Sequence, residues 1–134
     1  MPFLRIVAVL LLSLVLLDAR PARAEEIEGA WASDDEHCDK IFENRNGRTV
    51  LAQDSDMYGG GFVIDNNRIT GKMARCTITS RRKDGDTVHL LAACATDIML
   101  SSVQFSLRVR ADDQLTRVFP GMEGIEINYR RCRL

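Results

Sequence analysis

The residues of this 134-residue chain that could do chemistry are few, and their spacing limits what they can do. His37 and His89 are its two histidines, the side chains that titrate near neutral pH, and neither belongs to a recognisable nucleophile motif. His37 stands in an acidic run with Asp34, Asp35, Glu36 and Asp39, but consecutive residues of a helix point in different directions, so the run does not converge on a metal. His89 lies in an alternating segment on the face opposite its neighbour Leu90, which predicts a surface position. No catalytic group is assigned, and the expectation is a protein that is not an enzyme and holds no cofactor.

The four cysteines, Cys38, Cys76, Cys94 and Cys132, say more. No Cys-x-x-Cys pair occurs, so no metal site is expected; an even cysteine count in a short exported chain reads as two disulfides. Export is read from the N-terminus. After Arg5, a largely apolar run of 12 residues, Ile6 to Leu17, ends at Asp18 and is followed by Ala22-Arg23-Ala24, the layout of a secretory signal peptide. A membrane span needs about 20 such residues, and no cysteine sits just after the expected cut to carry a lipid. The expectation is a signal peptide over 1–24 and one domain over 25–134, released to the periplasm or beyond without a membrane anchor, as a monomer.

Of 18 basic and 19 acidic residues, three and one fall in the leader, which leaves the mature part at −3. Residues 25–60 hold ten acids and three bases, and residues 61–134 hold eight acids and twelve bases. Either these charges neutralise one another across a closed barrel surface, or they form an acidic rim opposite a basic face. The mature chain is acidic overall and lacks a basic stripe interleaved with aromatics, so no nucleic-acid partner is expected.

The elements that must position these groups are mostly strands. Past the leader nearly every segment alternates with period two between turn residues, which predicts a mainly β fold: about eight antiparallel strands in a small up-and-down barrel, with one short N-terminal helix. Ile27 to Ala32 is the first strand. Ser33-x-x-Glu36 has the spacing of a capping box and predicts a helix through about Lys40, capped by Ser33. Asn46-Gly47 and Asn66-Asn67 predict tight hairpin turns. A third hairpin joins Lys72 to Ser80 with Thr87 to Thr96; a three-residue loop at Asp84 to Asp86 sets Cys76 opposite Cys94 and Ile78 opposite Ala92, and gathers Val88, Leu90, Ala92 and Cys94 on one face. That register favours Cys76–Cys94, which leaves Cys38 with Cys132; the other two connectivities stay open. Val103, Phe105, Leu107 and Val109 mark a half-buried strand, Leu115 to Phe119 the next, and Ile125 onward the last.

Between the strands, Gln53 to Gly61 combines Asp54, Asp56, Tyr58 and three consecutive glycines, and reads either as a connector with Tyr58 packed over a barrel end or as a binding lip. Calcium is not expected there, because the EF-hand pattern is absent. The apolar turns Ile98 to Leu100 and Phe119 to Met122 predict either a patch for a partner or burial in the barrel mouth.

Gly29-Ala-Trp31 on the first strand resembles the Gly-x-Trp opening of lipocalin- and avidin-like barrels. Extended to Asp39 through His37-Cys38, the segment resembles the start of the small periplasmic inhibitors of bacterial metalloproteases. That resemblance implies the same barrel and a mature N-terminal segment, here Glu25-Glu26-Ile27-Glu28, entering a protease cleft; the early cysteine of that family pairs with one not far along, whereas here the next is Cys76. The chain as a whole also resembles uncharacterised small exported proteins of alphaproteobacteria. The expected function is a non-enzymatic periplasmic binding protein, an inhibitor of a hydrolase such as a protease or lysozyme, with an envelope protein as partner. The alternative is a lipocalin-like carrier of a small apolar ligand, with Trp31, Phe62 and Phe105 lining its interior.

Overall fold

Tight turns built on left-handed residues set the strand order. In the computed structural model, which describes residues 26–134, Asn46 and Gly47 (φ 54° and 79°) join β2 (Phe42–Arg45) to β3 (Arg48–Leu51), and Asn66 (φ 52°) begins the turn from β4 (Gly61–Asp65) to β5 (Arg68–Thr70). The expected signal peptide lies outside the described residues. The remaining strands are β1 (Gly29–Ala32), β6 (Arg75–Asp84), β7 (Thr87–Ala95), β8 (Leu100–Ala111), β9 (Gln114–Val118) and β10 (Glu126–Cys132). Eight of them close an antiparallel barrel in the order β1-β10-β9-β8-β7-β6-β5-β4, and the β2–β3 hairpin stands apart as a two-stranded sheet. The barrel is therefore an up-and-down meander into which one hairpin is inserted after the first strand.

Alternation fills the barrel. Trp31, Ile64, Ile69, Ile78, Leu90, Leu107 and Leu115 form its core with Cys76 and Cys94. The cysteine half of the third hairpin has the expected register, Cys76 opposite Cys94 and Ile78 opposite Ala92, and the Cys76–Cys94 disulfide bridges the pair. The turn differs from the expected one. β6 continues to Asp84, which pairs with Thr87, so Gly85-Asp86 is a two-residue loop; an irregularity between Ile78 and Ser80 then shifts the register by one residue. A tight turn plus a bulge reproduces, at the cysteines, the pairing that a three-residue loop would give.

The other disulfide, Cys38–Cys132, ties the helical segment to the last strand across a separation of 94 residues. That segment is a 3-10 turn, Asp35–His37, running into the single-turn helix α1 (Cys38–Ile41). Its cap is Asp34, not Ser33: the Asp34 carboxylate accepts from the Glu36 amide at 3.0 Å, while the Ser33 hydroxyl donates to the Gly59 carbonyl at 2.7 Å. The Ser33 side chain is turned toward the returning loop at Gly59 and Gly60, away from the capping position. Ile41 and Phe42 pack with Ala30, Ala32 and Cys132 into a second, smaller core on the outer face of β1, where the small alanines let the helix approach.

The two halves of the charge distribution meet in ion pairs. Glu26 with Lys83, Glu28 with Arg81 and Asp56 with Lys72 each join the acidic first part of the domain to the basic remainder. Along these seams the charges mix and no acidic rim faces a basic one.

Candidate functional site

The two ends of the barrel are built differently. At the end where β1 begins, the inward-facing Arg131 lies over Trp31, its guanidinium carbon 4.3 Å from the ring centroid, and Trp31 is fully buried with its indole N–H donating to the Ile27 carbonyl at 2.9 Å. The same guanidinium donates to three backbone carbonyls, those of Asp112 (2.7 Å), Glu26 (3.1 Å) and Glu28. Gly29 makes room for it: φ is 124°, and a Cβ there would stand 2.6 Å from the Arg131 Nη1. The Gly-x-Trp spacing thus has a local cause. Glycine admits the arginine, and the tryptophan two residues on, on the same face, supplies the surface it lies on.

At the opposite end the inward-facing side chains are only partly buried. Phe62, Val103, Phe105 and Tyr129 pack against the core from that side without being closed over by it. Phe62 and Tyr129 meet edge to face, their centroids 4.8 Å apart. On β9, Arg117 is opposite Leu107 and shares its inward face; its guanidinium carbon stands 4.6 Å from the Phe105 ring and 4.9 Å from that of Phe119. The Arg117 Nε is buried and has no hydrogen-bond partner. Burial pushes the Tyr129 phenol above its ordinary value, and the charge and hydrogen bonding of the nearby Arg117 only partly offset this.

The loops around this mouth carry exposed apolar side chains. Ile98 is 92% and Leu100 82% exposed after β7, with Met99 beside them; Met122 and Ile125 lie between β9 and β10, Met73 between β5 and β6, and Met57 in the 3-10 turn Ser55–Tyr58. Among the described residues, the other exposed large apolar side chains are Ile127, the second residue of β10 at the same end, Leu91, midway along β7, and Leu134, beyond β10. Both apolar turns read from the sequence therefore form parts of one collar and are not buried in the mouth.

The structure separates the six expected binding residues into three groups. Phe62 and Phe105 lie in the mouth wall. Trp31 belongs to the closed end and offers no surface to a ligand. Asp54, Asp56 and Tyr58 fall on the outer side: Asp56 pairs with Lys72, which holds its carboxyl below the usual range, and Tyr58 packs against the small core and the His37 ring, 5.4 Å away between centroids. His37 Nδ1 is 2.9 Å from Asp34 Oδ2, and His89 Nδ1 is 2.8 Å from the buried Ser106 hydroxyl, so the two histidines sit in separate pairs. Among the described residues no group of three His, Cys, Asp or Glu side chains converges as a metal would require. An open groove of about 420 Å³ also runs between the β2–β3 hairpin and the barrel wall, lined by Glu28, Arg48, Asp65 and Arg68 together with Val50 and Val63.

Arg117 and Tyr129 are the mouth residues that the reading by motif passes over. The signal for both was present in the period: Leu115, Arg117 and Phe119 share one strand face, as do Ile127, Tyr129 and Arg131. An arginine on the apolar face of a strand marks each end of this barrel. No protein-family model, curated protein or solved structure matches the chain.

Proposed function

We propose that this chain is a non-enzymatic exported binding protein that takes a small apolar ligand at the end of its barrel ringed by apolar loops. The observation that carries the reading is the asymmetry of the ends: Arg131 over Trp31 shuts one, while Phe62 and Phe105 stand half-exposed inside a collar of apolar loops at the other. Concave apolar sites with a few placed polar groups are where small molecules bind, and covering such walls gains roughly 25 cal/mol for each Å² removed from water. Two disulfides suit the oxidising compartment that export would reach, the periplasm or beyond. The test is titration of the oxidised protein with a neutral fluorescent naphthylamine. Saturable binding at one site, abolished by V103W, which fills the mouth, is the expected result; no saturable binding, or binding indifferent to V103W, overturns the reading.

A second reading, an inhibitor of an envelope hydrolase, is favoured by the collar itself, since Ile98, Leu100 and Met57 project from loops held by a rigid barrel. In this reading the collar makes the contact. Ile27 is buried and the Glu26 and Glu28 carbonyls accept from Arg131, so that segment is engaged in closing the barrel. Inhibition of a panel of envelope proteases and lysozymes by the intact protein, lost in I98S/L100S, is its signature.

A further inference from the structure

Arg131 and Arg117 both stand on the inward face of their strands, and they are satisfied very differently. Arg131 gives its hydrogen bonds to three carbonyls and lies on Trp31. Arg117 lies between the Phe105 and Phe119 rings, has a buried Nε without a partner, and makes no ion pair among the described residues. Arg117 is half-buried beside Tyr129, and its Nε is out of water without a partner; the ring faces return only part of what hydration gave that group. A positive, donor-rich group is therefore held in an apolar wall with hydrogen-bonding capacity in reserve.

We infer that Arg117 is the anchor for an anionic head group, and that the ligand is an amphipathic acid, a carboxylate on an apolar tail, whose head meets Arg117 and whose tail lies along Phe62 and Phe105. The inference rests on the carrier reading and adds to it the charge of the ligand. A carboxylate matches the fork of guanidinium donors, and the pairing is charge-assisted. Tyr129 stands on the same inward face, one strand away, and with its phenol held protonated it supplies a further donor. The half-exposed rings give the tail a place, and the collar of Ile98, Leu100 and Met122 gives it a path from solvent.

The experiment compares three probes of equal tail length by calorimetry with the oxidised full-length domain: dodecanoate, dodecanol and dodecyltrimethylammonium. The expected order places dodecanoate about tenfold to a hundredfold tighter than dodecanol, with the cation weakest, as one charge-assisted contact in a desolvated site implies. R117M is expected to erase the difference between dodecanoate and dodecanol while leaving dodecanol binding in place, and R117K to keep part of it. Equal affinity for dodecanoate and dodecanol in the unaltered protein overturns the inference and leaves the carrier reading standing. Failure of all three probes to bind overturns both. A preference for dodecanoate that survives intact in a folded R117M also overturns it, because the anion would then be held elsewhere. The comparison in the unaltered protein decides the ligand's charge even if R117M fails to fold.

Discussion

The Arg131 guanidinium lies 4.3 Å above the Trp31 ring while its N–H groups reach three carbonyls on two different segments, so one side chain from the last strand locks the first strand and the chain entering it. This is a closure device more than a salt bridge. No carboxylate accepts a hydrogen bond from it; the acceptors are backbone oxygens, and Asp112 and Asp113 contribute only their charge.

Removing that side chain should open the end. R131M keeps the length and loses the donors, and with hydrogen bonds to a charged group contributing about 1.5–3 kcal/mol each before any leaving cost, a loss of about 3 kcal/mol or more is expected in urea unfolding. R131K should recover little, because one ammonium cannot both lie flat on the ring and reach three separated carbonyls. G29A should lose about 1–3 kcal/mol on its own, since its Cβ meets Nη1 at 2.6 Å in a backbone conformation that suits glycine. Recovery to wild-type stability in R131K would refute the multi-carbonyl account.

The two disulfides should differ in weight. Chain-entropy reasoning gives about 4.7 kcal/mol for a loop as long as that closed by Cys38–Cys132 and about 3 kcal/mol for the short loop of Cys76–Cys94. C38A/C132A is accordingly expected to be the more destabilised of the two double variants, and the small core of Ile41, Phe42 and Ala32 should loosen first, as increased amide exchange over residues 35–42. Equal midpoints for the two variants would show that native packing and not loop length sets their contributions.

Much of this fold is legible in the residues. Asn46-Gly47 and Asn66-Asn67 announce their hairpins because asparagine and glycine tolerate the left-handed φ such turns require. Val88, Leu90, Ala92 and Cys94 announce their face because period two leaves them no other. What escapes is whatever depends on a distant segment. Ser33 and Asp34 are both good caps, and the choice between them is made by Gly59, 26 residues on, which accepts the Ser33 hydroxyl. The bulge between Ile78 and Ser80 carries no sequence mark, and neither does the exclusion of the β2–β3 hairpin from the barrel, which follows from Ala30 and Ala32 presenting a small outer face for Ile41 and Phe42 to cover. In the site, Phe62 and Phe105 are readable as inward aromatics, whereas the meaning of Arg117 depends on its Nε being buried without a partner and on the absence of an ion pair among the described residues, properties of the whole surroundings and not of its strand.

Glu28 gives the domain a pH signature of definite sign. Burial holds its carboxyl above the ordinary glutamate value of 4.5, against the opposing pull of the Asn66 amide and Arg81. A carboxyl raised in the folded state opposes folding above its folded pKa, and that penalty is relieved as protons bind on the way down. The stability of the wild type relative to E28Q, which keeps an acceptor for Asn66, should therefore rise as pH falls from neutral to just below 4.5. Asp34 and Asp56, held low by His37 and Lys72, act in the opposite direction and only below their ordinary value of 3.8, which separates the two windows. Parallel pH curves for the two proteins would show that Glu28 is not disfavoured in its charged form.

Stability and uptake should be separable, because the collar and the core are built from different residues. Ile98 is 92% exposed and Leu100 82%, so I98S/L100S removes almost no buried surface and should change unfolding by about 0.5 kcal/mol or less, as surface substitutions do. Leu115 is 1% exposed at the centre of the barrel, and L115A should cost about 2–5 kcal/mol through the lost contacts and the cavity left behind. For the neutral naphthylamine probe the order reverses. Each collar side chain that covers part of a bound tail adds apolar area to the site, so I98S/L100S should weaken binding several-fold while L115A, wherever it remains folded, should alter it less. A collar that can be made polar without loss of probe affinity, in a protein that still inhibits an envelope hydrolase until the same two substitutions are made, would move the function from the mouth to its rim.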